Sequence, residues 1–257
     1  MSQDAPMGLA DCLQSLRLAT MRNEYEEVSR QATAGSWGYA EFLLELAQRE
    51  CQQRQHKRIE RLLKSSRLPL EKTWASLDLK RLPGKAVQQL RGLLSGEFLD
   101  RRENVLVFGP PGSGKTHALY AVAQEMVRSG RSVLATKCSL LVQELLKAKR
   151  DLRLKELLRD LSRWEGLLID DLGYVQQSRE EMEVLFTLLA ERYEQGSVLV
   201  TSNLAFSQWE QIFKDPMTTA AAIDRLVHHG LIVEMNVASY RIESAKRRKA
   251  AATEKEE

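Results

Sequence analysis

The chain has 257 residues, of which 43% are hydrophobic and 28% charged, which is enough for one α/β core and a smaller appendage. The 38 Lys and Arg nearly balance the 35 Asp and Glu, so only a local cluster of cations could indicate a polyanionic partner. Three widely separated cysteines argue against a disulfide framework and a cysteine-based metal site. Because no apolar run approaches the roughly 18 residues that span a bilayer, and the N-terminus has no signal-peptide core, we expect a cytoplasmic protein with no membrane partner.

The first 68 residues are predicted to form a helical domain. Apolar residues recur at spacings of three and four from Leu9 to Val28, and Gly35 ends this first helix. A second helix, over 39–66, is apolar on one face in its first half and arginine-rich in its second half. We expect residues 1–68 to bind a partner or DNA, with a purely structural bundle or an oligomer brace as the alternative.

Five apolar, β-prone runs follow and alternate with helical stretches, which is typical of a parallel sheet covered on both faces. The runs are 104–108, 132–137, 166–170, 197–202 and 231–235. They predict a larger α/β domain over 85–245, preceded by a linker over 69–84 in which prolines and a glycine break the helical pattern. The tail, 246–257, is basic and then acidic, and is predicted to be flexible; its cations are further candidates for binding phosphate.

The loop after the first of these strands matches GxxxxGK[ST] at every position. It consists of Gly109, Pro110, Pro111, Gly112, Ser113, Gly114, Lys115 and Thr116. Its glycines allow backbone N–H groups to converge on phosphate oxygens, and the following helix adds its positive end. Lys115 is expected to reach the β and γ phosphates of ATP, and the Thr116 hydroxyl to bind Mg²⁺.

A cation-rich helical stretch, 141–164, separates the second and third strands. Its candidate DNA contacts are Lys147, Lys149, Arg150, Arg153, Lys155 and Arg159. Such cations can neutralise phosphates and so give salt-dependent, sequence-independent binding. Acidic residues, among them Asp151, Glu156 and Asp160, dilute the charge, so this pattern fits a DNA-binding surface and a solvated helix face equally well.

Polar residues end the third and fourth strands. Asp170 closes an apolar strand, as the second Mg²⁺ anchor of a P-loop protein does, and Asp171 is a candidate for polarising the attacking water. Asn203 follows the fourth strand, where it could bind that water or the γ phosphate, although Ser-Asn after a strand is also an ordinary turn signal. By contrast, a metal site at His228 and His229 is not predicted, because no cysteine or third histidine lies near them in the sequence.

The segments GPPGSGKTH, LLIDDLGY, VLVTSNLAFSQW and AAAIDRLVHHG, in this order, closely resemble the IstB-like ATPases that assist insertion-sequence transposases. This group belongs to the AAA+ ATPases and is related to the DnaC helicase loaders. The resemblance covers nearly the whole chain. It implies an AAA+ core with a five-stranded parallel sheet and no C-terminal lid domain. It also implies that Asp170 and Asp171 are Walker B, that Asn203 is sensor 1, and that Arg225 is an arginine finger.

The resemblance further implies an ATPase that forms homo-oligomers through its ATP interfaces, on duplex DNA and largely without sequence preference, with a transposase as partner. Lys115, Asp171, Asn203 and Arg225 would then be its catalytic residues. Asp171 stands where the group usually has Glu, and it is shorter by about 1.5 Å, so hydrolysis is expected to be slow. A helicase loader is the alternative; a metabolite kinase is disfavoured, because such enzymes close an arginine-bearing lid over the acceptor and the sequence has no short lid insert.

Overall fold

The computed structural model describes residues 8–173, 178–213 and 215–240. Its backbone contacts divide the chain into two compact units, of which one ends at Arg61 and the other begins at Leu62. The domain limits predicted at 68 and 85 stay predictions, and the tail, 246–257, lies outside the described residues. None of the described helices combines the length and the hydropathy needed to cross a bilayer.

The helices alternate with strands from residue 104 onward. The helices are α1 Leu9–Ser15, α2 Ala19–Gly35, α3 Tyr39–Ser65, α4 Gly84–Leu93, α5 Glu97–Asp100, α6 Lys115–Arg128, α7 Cys138–Arg150, α8 Leu154–Ser162, α9 Arg179–Arg192, α10 Glu210–Phe213 and α11 Pro216–Val227. The strands are β1 Asn104–Phe108, β2 Val133–Lys137, β3 Gly166–Leu172, β4 Ser197–Ser202 and β5 Gly230–Glu234. The five predicted strands are therefore confirmed, with shifts of one or two residues at their ends.

In the first unit the prediction of one helix from Leu9 to Gly35 is wrong, because the segment forms α1 and α2. Arg17 takes a left-handed φ of 57° between them, which stops the helix. The carboxylate of Glu50, on α3, then accepts hydrogen bonds from the first free N–H groups of α2, at Thr20 (2.7 Å) and Met21 (3.1 Å). This carboxylate also pairs with Arg54 at 2.6 Å, so part of the arginine-rich half of α3 serves the fold of the first unit.

The second unit is built on a five-stranded parallel sheet in the order β2-β3-β4-β1-β5. Side chains of one strand alternate between the two faces: Val105 and Val107 pack with α4 and α6, whereas Leu106 packs with α7, α9 and α11. Both faces are thus buried, which explains the near-continuous apolar runs. The carboxyl ends of β1, β3 and β4 meet at one edge of the sheet, where the candidate site lies.

Candidate nucleotide site

The phosphate-binding loop adopts a backbone that only glycine accommodates at two points. Gly109 has φ 155°, and a Cβ there would collide with the carbonyl oxygen of Met235. Gly112 has φ 81°, and a Cβ there would collide with the hydroxyl of Ser239. The segment after β5 therefore packs closely on this loop, and the Tyr240 N–H donates to the Gly112 carbonyl at 2.9 Å.

Two polar side chains of the loop, Lys115 and Ser113, are buried. Lys115 is 7% exposed, and its Nζ donates to the carbonyl of Pro110 at 2.9 Å. Ser113 is 4% exposed, and its hydroxyl has no hydrogen-bond partner among the described residues. A buried ammonium and an unsatisfied buried hydroxyl, beside the N-terminus of α6, fit an anionic ligand rather than an apolar one.

Asp170 lies next to Thr116, as the sequence suggested for a cation site. The Thr116 hydroxyl donates to Asp170 Oδ1 at 2.9 Å, and Asp170 is only 2% exposed. Burial raises the pKa of Asp170 above its ordinary value; the Thr201 hydrogen bond opposes this rise, and the nearby charge of Asp171 adds to it. A bound cation would offset both unfavourable effects, and a hydroxyl beside a carboxylate is an oxygen donor set suited to Mg²⁺.

A β-bulge sets the different orientations of the two neighbouring carboxylates. Ile169 pairs with Val200 and Leu172 with Ser202, so Asp170 and Asp171 together face the single residue Thr201. Asp171 takes a left-handed φ of 60° there and is exposed. Asp tolerates this conformation better than most residues, which gives a backbone reason for Asp at a position where Glu is usual.

Thr201 is a site residue that sequence reasoning missed. Its hydroxyl donates to Asp170 Oδ1 at 2.5 Å and accepts from the Asp171 N–H at 2.9 Å, so it fixes both halves of the bulge. The sequence interpretation stopped at Asn203, which is half-buried one residue beyond the end of β4. The available signal was a threonine that directly follows three apolar residues of β4.

The segment before α4 contributes a second flank to the site. Gln124 of α6 donates to the Pro69 carbonyl at 2.5 Å, and His117, directly after Thr116, lies 3.2 Å from the Thr73 carbonyl and 3.1 Å from the Ser76 hydroxyl. This part of the predicted linker therefore runs along α6.

Arg225 lies on α11 and contacts its own helix and α9. Its guanidinium donates to the Ala221 carbonyl at 2.9 Å, and it lies over the ring of Phe186, 4.9 Å from the centroid. Its side-chain contacts among the described residues do not include the phosphate-binding loop.

Five of the six candidate DNA contacts lie on two helices, α7 and α8, and Arg153 lies directly before α8. The stretch 141–164, predicted to be helical, forms the end of α7 and all of α8, and Leu152 has a left-handed φ of 57° between the two helices. All six side chains are exposed. Lys149 pairs with Glu183 at 3.6 Å and Arg153 with Glu156 at 2.8 Å. Within the described part of the chain, the other four cations form no ion pair.

Comparison with known proteins agrees with this geometry. A family model described as IstB-like ATP binding protein matches residues 11–250. The chain belongs to the IstB-like ATP binding proteins. It is 40% identical over 234 residues to an insertion sequence ATP-binding protein of Sinorhizobium fredii, with 91% of this chain and 78% of that protein covered. It is 37% identical over 238 residues to an IS21 ATP-binding protein of Pseudomonas aeruginosa, with 91% and 89% covered.

Solved structures resemble part of this IstB-like protein. The structure of DnaI has a TM-score of 0.56 at 22% identity, covering 66% of this chain and 95% of that chain. The AMPPCP-bound DnaA of Aquifex aeolicus has a TM-score of 0.57 at 16% identity, covering 71% of this chain and 55% of that one. The DnaC helicase loader has a TM-score of 0.55 at 15% identity. These likenesses concern the fold alone, and they confirm the predicted AAA+ fold with its parallel five-stranded sheet.

Proposed function

We propose that this IstB-like protein is an ATPase that assembles on duplex DNA and assists a transposase. The observation that carries the proposal is the Thr116–Asp170 pair, because it places a hydroxyl and a carboxylate oxygen directly beside a phosphate-binding loop. Lys115 holds the β and γ phosphates, and Thr116 with Asp170 holds Mg²⁺, which neutralises charge on the phosphate oxygens. Asp171 orients the attacking water, and Asn203 binds that water or the γ phosphate.

Arg225 acts on the ATP of a neighbouring subunit. This role is supported by the position of its guanidinium, which contacts Ala221 and Phe186 of its own chain. Arg225 lies on α11, which is separate from the phosphate-binding loop. An arginine supplied by a neighbour stabilises charge on the transferring phosphoryl group, so hydrolysis occurs only in an assembly. The protein therefore forms homo-oligomers through these ATP interfaces.

The exposed cations of α7 and α8 bind the phosphates of duplex DNA. Four of the six have no ion pair among the described residues, so they are available to displace counterions. Such contacts position the protein without reading sequence. Choice of site therefore falls to the partner or to the shape of the DNA.

The names of the relatives favour a transposase as the partner. The proteins from Sinorhizobium fredii and Pseudomonas aeruginosa are both described as insertion sequence ATP-binding proteins. The helices of the first unit are our choice for the partner contact. Helicase loading is the second candidate, and the likeness to DnaI and DnaC favours it at the level of fold. Pull-down with the transposase encoded beside the gene, against the replicative helicase of the same cell, distinguishes the two.

Binding to a labelled duplex of random sequence, measured by fluorescence anisotropy across a salt series, tests the DNA assignment. We expect tighter binding with ATP than with ADP, and an affinity that falls steeply as salt rises. Replacing Lys147, Arg150, Lys155 and Arg159 by Gln should flatten the salt dependence, whereas replacing four other exposed cations, Lys85, Arg91, Arg128 and Arg179, by Gln should not. Equal salt slopes for the two sets of variants would contradict the assignment.

Replacement of Asp171 by Glu is expected to raise the rate of DNA-stimulated hydrolysis about tenfold. The longer side chain brings its carboxylate closer to the water, and small displacements of a catalytic group have large effects on rate. The left-handed backbone disfavours Glu, so a loss of about 1 kcal/mol of stability should accompany the gain. Phosphate release measured at saturating ATP checks the rate; a slower Glu variant would contradict the assigned role of Asp171.

Replacement of Thr201 by Val should weaken Mg²⁺ binding in the presence of ATP by about tenfold. Valine keeps the shape of the side chain but removes the hydrogen bond to Asp170 and leaves the Asp171 N–H without its partner. The Mg²⁺ dependence of binding of a fluorescent ATP analogue measures the effect. Thr136→Val, which alters a buried threonine on β2, is the matched control and should behave as the wild type.

The raised pKa of Asp170 predicts that Mg²⁺-dependent ATP binding weakens as pH falls, starting above the ordinary Asp value of 3.8. A carboxylate must lose its proton to bind a metal ion, so protons compete with Mg²⁺. In the free protein, the raised pKa of Asp170 contributes to the free energy of unfolding at low pH. This contribution is lost as the pH rises through the pKa of Asp170 in the folded state. Affinity for MgATP measured from about pH 4 to 8 checks this. ATP itself also binds protons as the pH falls, and the Asp170→Asn variant reports that contribution alone. If the MgATP affinities of wild type and variant fall in parallel, the prediction is wrong.

A further inference from the structure

An exposed cluster of two histidines and one glutamate lies where α11 ends. His228 and His229 follow α11, and Glu194 lies in the turn after α9. One ring nitrogen of each histidine and one carboxylate oxygen of Glu194 lie within 4.8 Å of one another. The sequence predicts no metal site here, because no cysteine or third histidine lies near the pair, whereas the fold supplies a carboxylate from the turn after α9.

We propose that Glu194, His228 and His229 bind a divalent transition-metal ion, Zn²⁺ in particular. Two imidazoles and one carboxylate form a donor set that Zn²⁺ accepts, with a water molecule in the fourth position. The ligand atoms of a tetrahedral Zn²⁺ site lie roughly 3.3 Å apart. His229 Nε2 and Glu194 Oε1 are already 3.8 Å apart, and the side chains are exposed, so small rotations bring the donors together.

The backbone under the cluster is held by hydrogen bonds to other elements. The His229 carbonyl accepts from the Asn104 N–H at the start of β1 at 2.7 Å, and the Glu194 carbonyl accepts from Arg102 at 2.5 Å. The three ligands therefore start from fixed positions rather than from a mobile loop end, which lowers the cost of ordering them.

A tyrosine orients one of the two imidazoles. The Tyr193 hydroxyl lies 2.9 Å from His228 Nδ1, which leaves Nε2 of that ring for the ion. A hydrogen bond to the second ring nitrogen is the usual way in which proteins fix a metal-binding histidine.

A bound ion links the turn after α9 to the end of α11, one helical turn beyond Arg225. It therefore fixes the end of the helix that carries the proposed arginine finger. This consequence for hydrolysis rests on the proposed function, whereas the binding of the ion does not.

Calorimetric titration of the untagged full chain with Zn²⁺, in the absence of nucleotide and DNA, tests the site. Every protein carries Cys51→Ser to remove the exposed thiol. We expect one Zn²⁺ per chain, and each of His228→Ala, His229→Ala and Glu194→Gln should weaken binding at least tenfold. A large excess of Mg²⁺ should not compete, because Mg²⁺ prefers oxygen ligands.

His56→Ala is the matched control. His56 also pairs with a carboxylate on the surface, Glu60 at 3.3 Å, but it belongs to no cluster of three metal-binding side chains in the described parts of the chain. It should bind Zn²⁺ as the parent does, and all variants should unfold at the same temperature in chelator. Titration curves of the cluster variants that overlay the parent curve, or a parent that takes up no Zn²⁺, would overturn the proposal. Because no ATP or DNA is present, this outcome is independent of the proposed function.

Discussion

Replacement of Arg225 by Ala is expected to lower DNA-stimulated ATP hydrolysis about a thousandfold. The proposed finger supplies positive charge to the transferring phosphoryl group of the neighbouring subunit, where no other group replaces it. ATP binding by the isolated chain should stay unchanged, because the Arg225 side chain contacts Ala221 and Phe186 rather than the phosphate-binding loop. Turnover with DNA and equilibrium ATP binding are the two measurements.

Mixing two inactive variants tests whether Arg225 acts between subunits. Lys115→Ala removes the phosphate-binding lysine but keeps the finger, whereas Arg225→Ala keeps the nucleotide site. In a mixed assembly an intact finger meets an intact site at some interfaces, so hydrolysis should partly return. Arg179→Ala, a change at an arginine whose side chain is 90% exposed, is the control and should leave turnover unchanged. If the mixture is as inactive as its components, Arg225 does not act in trans.

Replacement of Arg192 by Leu is expected to lower the free energy of unfolding by about 3 kcal/mol. Arg192 is 2% exposed and donates to the carbonyls of Leu161 (2.8 Å), Trp164 (3.0 Å) and Ser197 (3.1 Å). Burial lowers the pKa of its guanidinium to about 10, since loss of contact with water disfavours the charged form. Leucine would fill much of the space but remove the hydrogen bonds that the guanidinium donates to these buried carbonyl oxygens.

Urea denaturation followed by circular dichroism measures this loss of stability. Arg179→Leu makes the same chemical change at the exposed start of α9, and it should shift stability by no more than about 0.5 kcal/mol. The buried Arg192 side chain also leaves no room for a side chain at residue 196, which is Gly, because a Cβ there would lie 2.5 Å from Arg192 Nη2. Equal urea midpoints for Arg192→Leu and Arg179→Leu would contradict the prediction, because the carbonyl groups around Arg192 would then have found other hydrogen-bond donors.

Much of the fold could be predicted because its signals are local. The strand of residues 104–108 is apolar from Val105 to Phe108, and the glycines after it predict the turn that the structure contains. The two helix breaks could not be predicted in this way. Arg17 and Leu152 both take φ 57° without being glycine, and no proline or asparagine marks either position.

The parts of the site that sequence could not predict depend on pairing between distant segments. Thr201 orients Asp170 only because a bulge in β3 sets two residues against one on β4. In the sequence, Arg192 is indistinguishable from an arginine on a helix surface. Only the fold shows that it is buried and donates to carbonyl groups of other segments. Glu194 joins the two histidines only through the packing of α9 beside α11. Pattern and spacing reveal which residues carry chemistry, but not which distant residues hold them in place.

The size of the particles that form on DNA tests the central claim most directly. The full chain is mixed with duplex DNA of random sequence, and sedimentation velocity is recorded with ATP and with ADP, for wild type and for Arg225→Ala. We predict large complexes only when ATP and DNA are both present, and an Arg225→Ala protein that either cannot build them or cannot release them by hydrolysis. A protein that stays small under every condition would contradict the account of an ATP-dependent assembly on DNA.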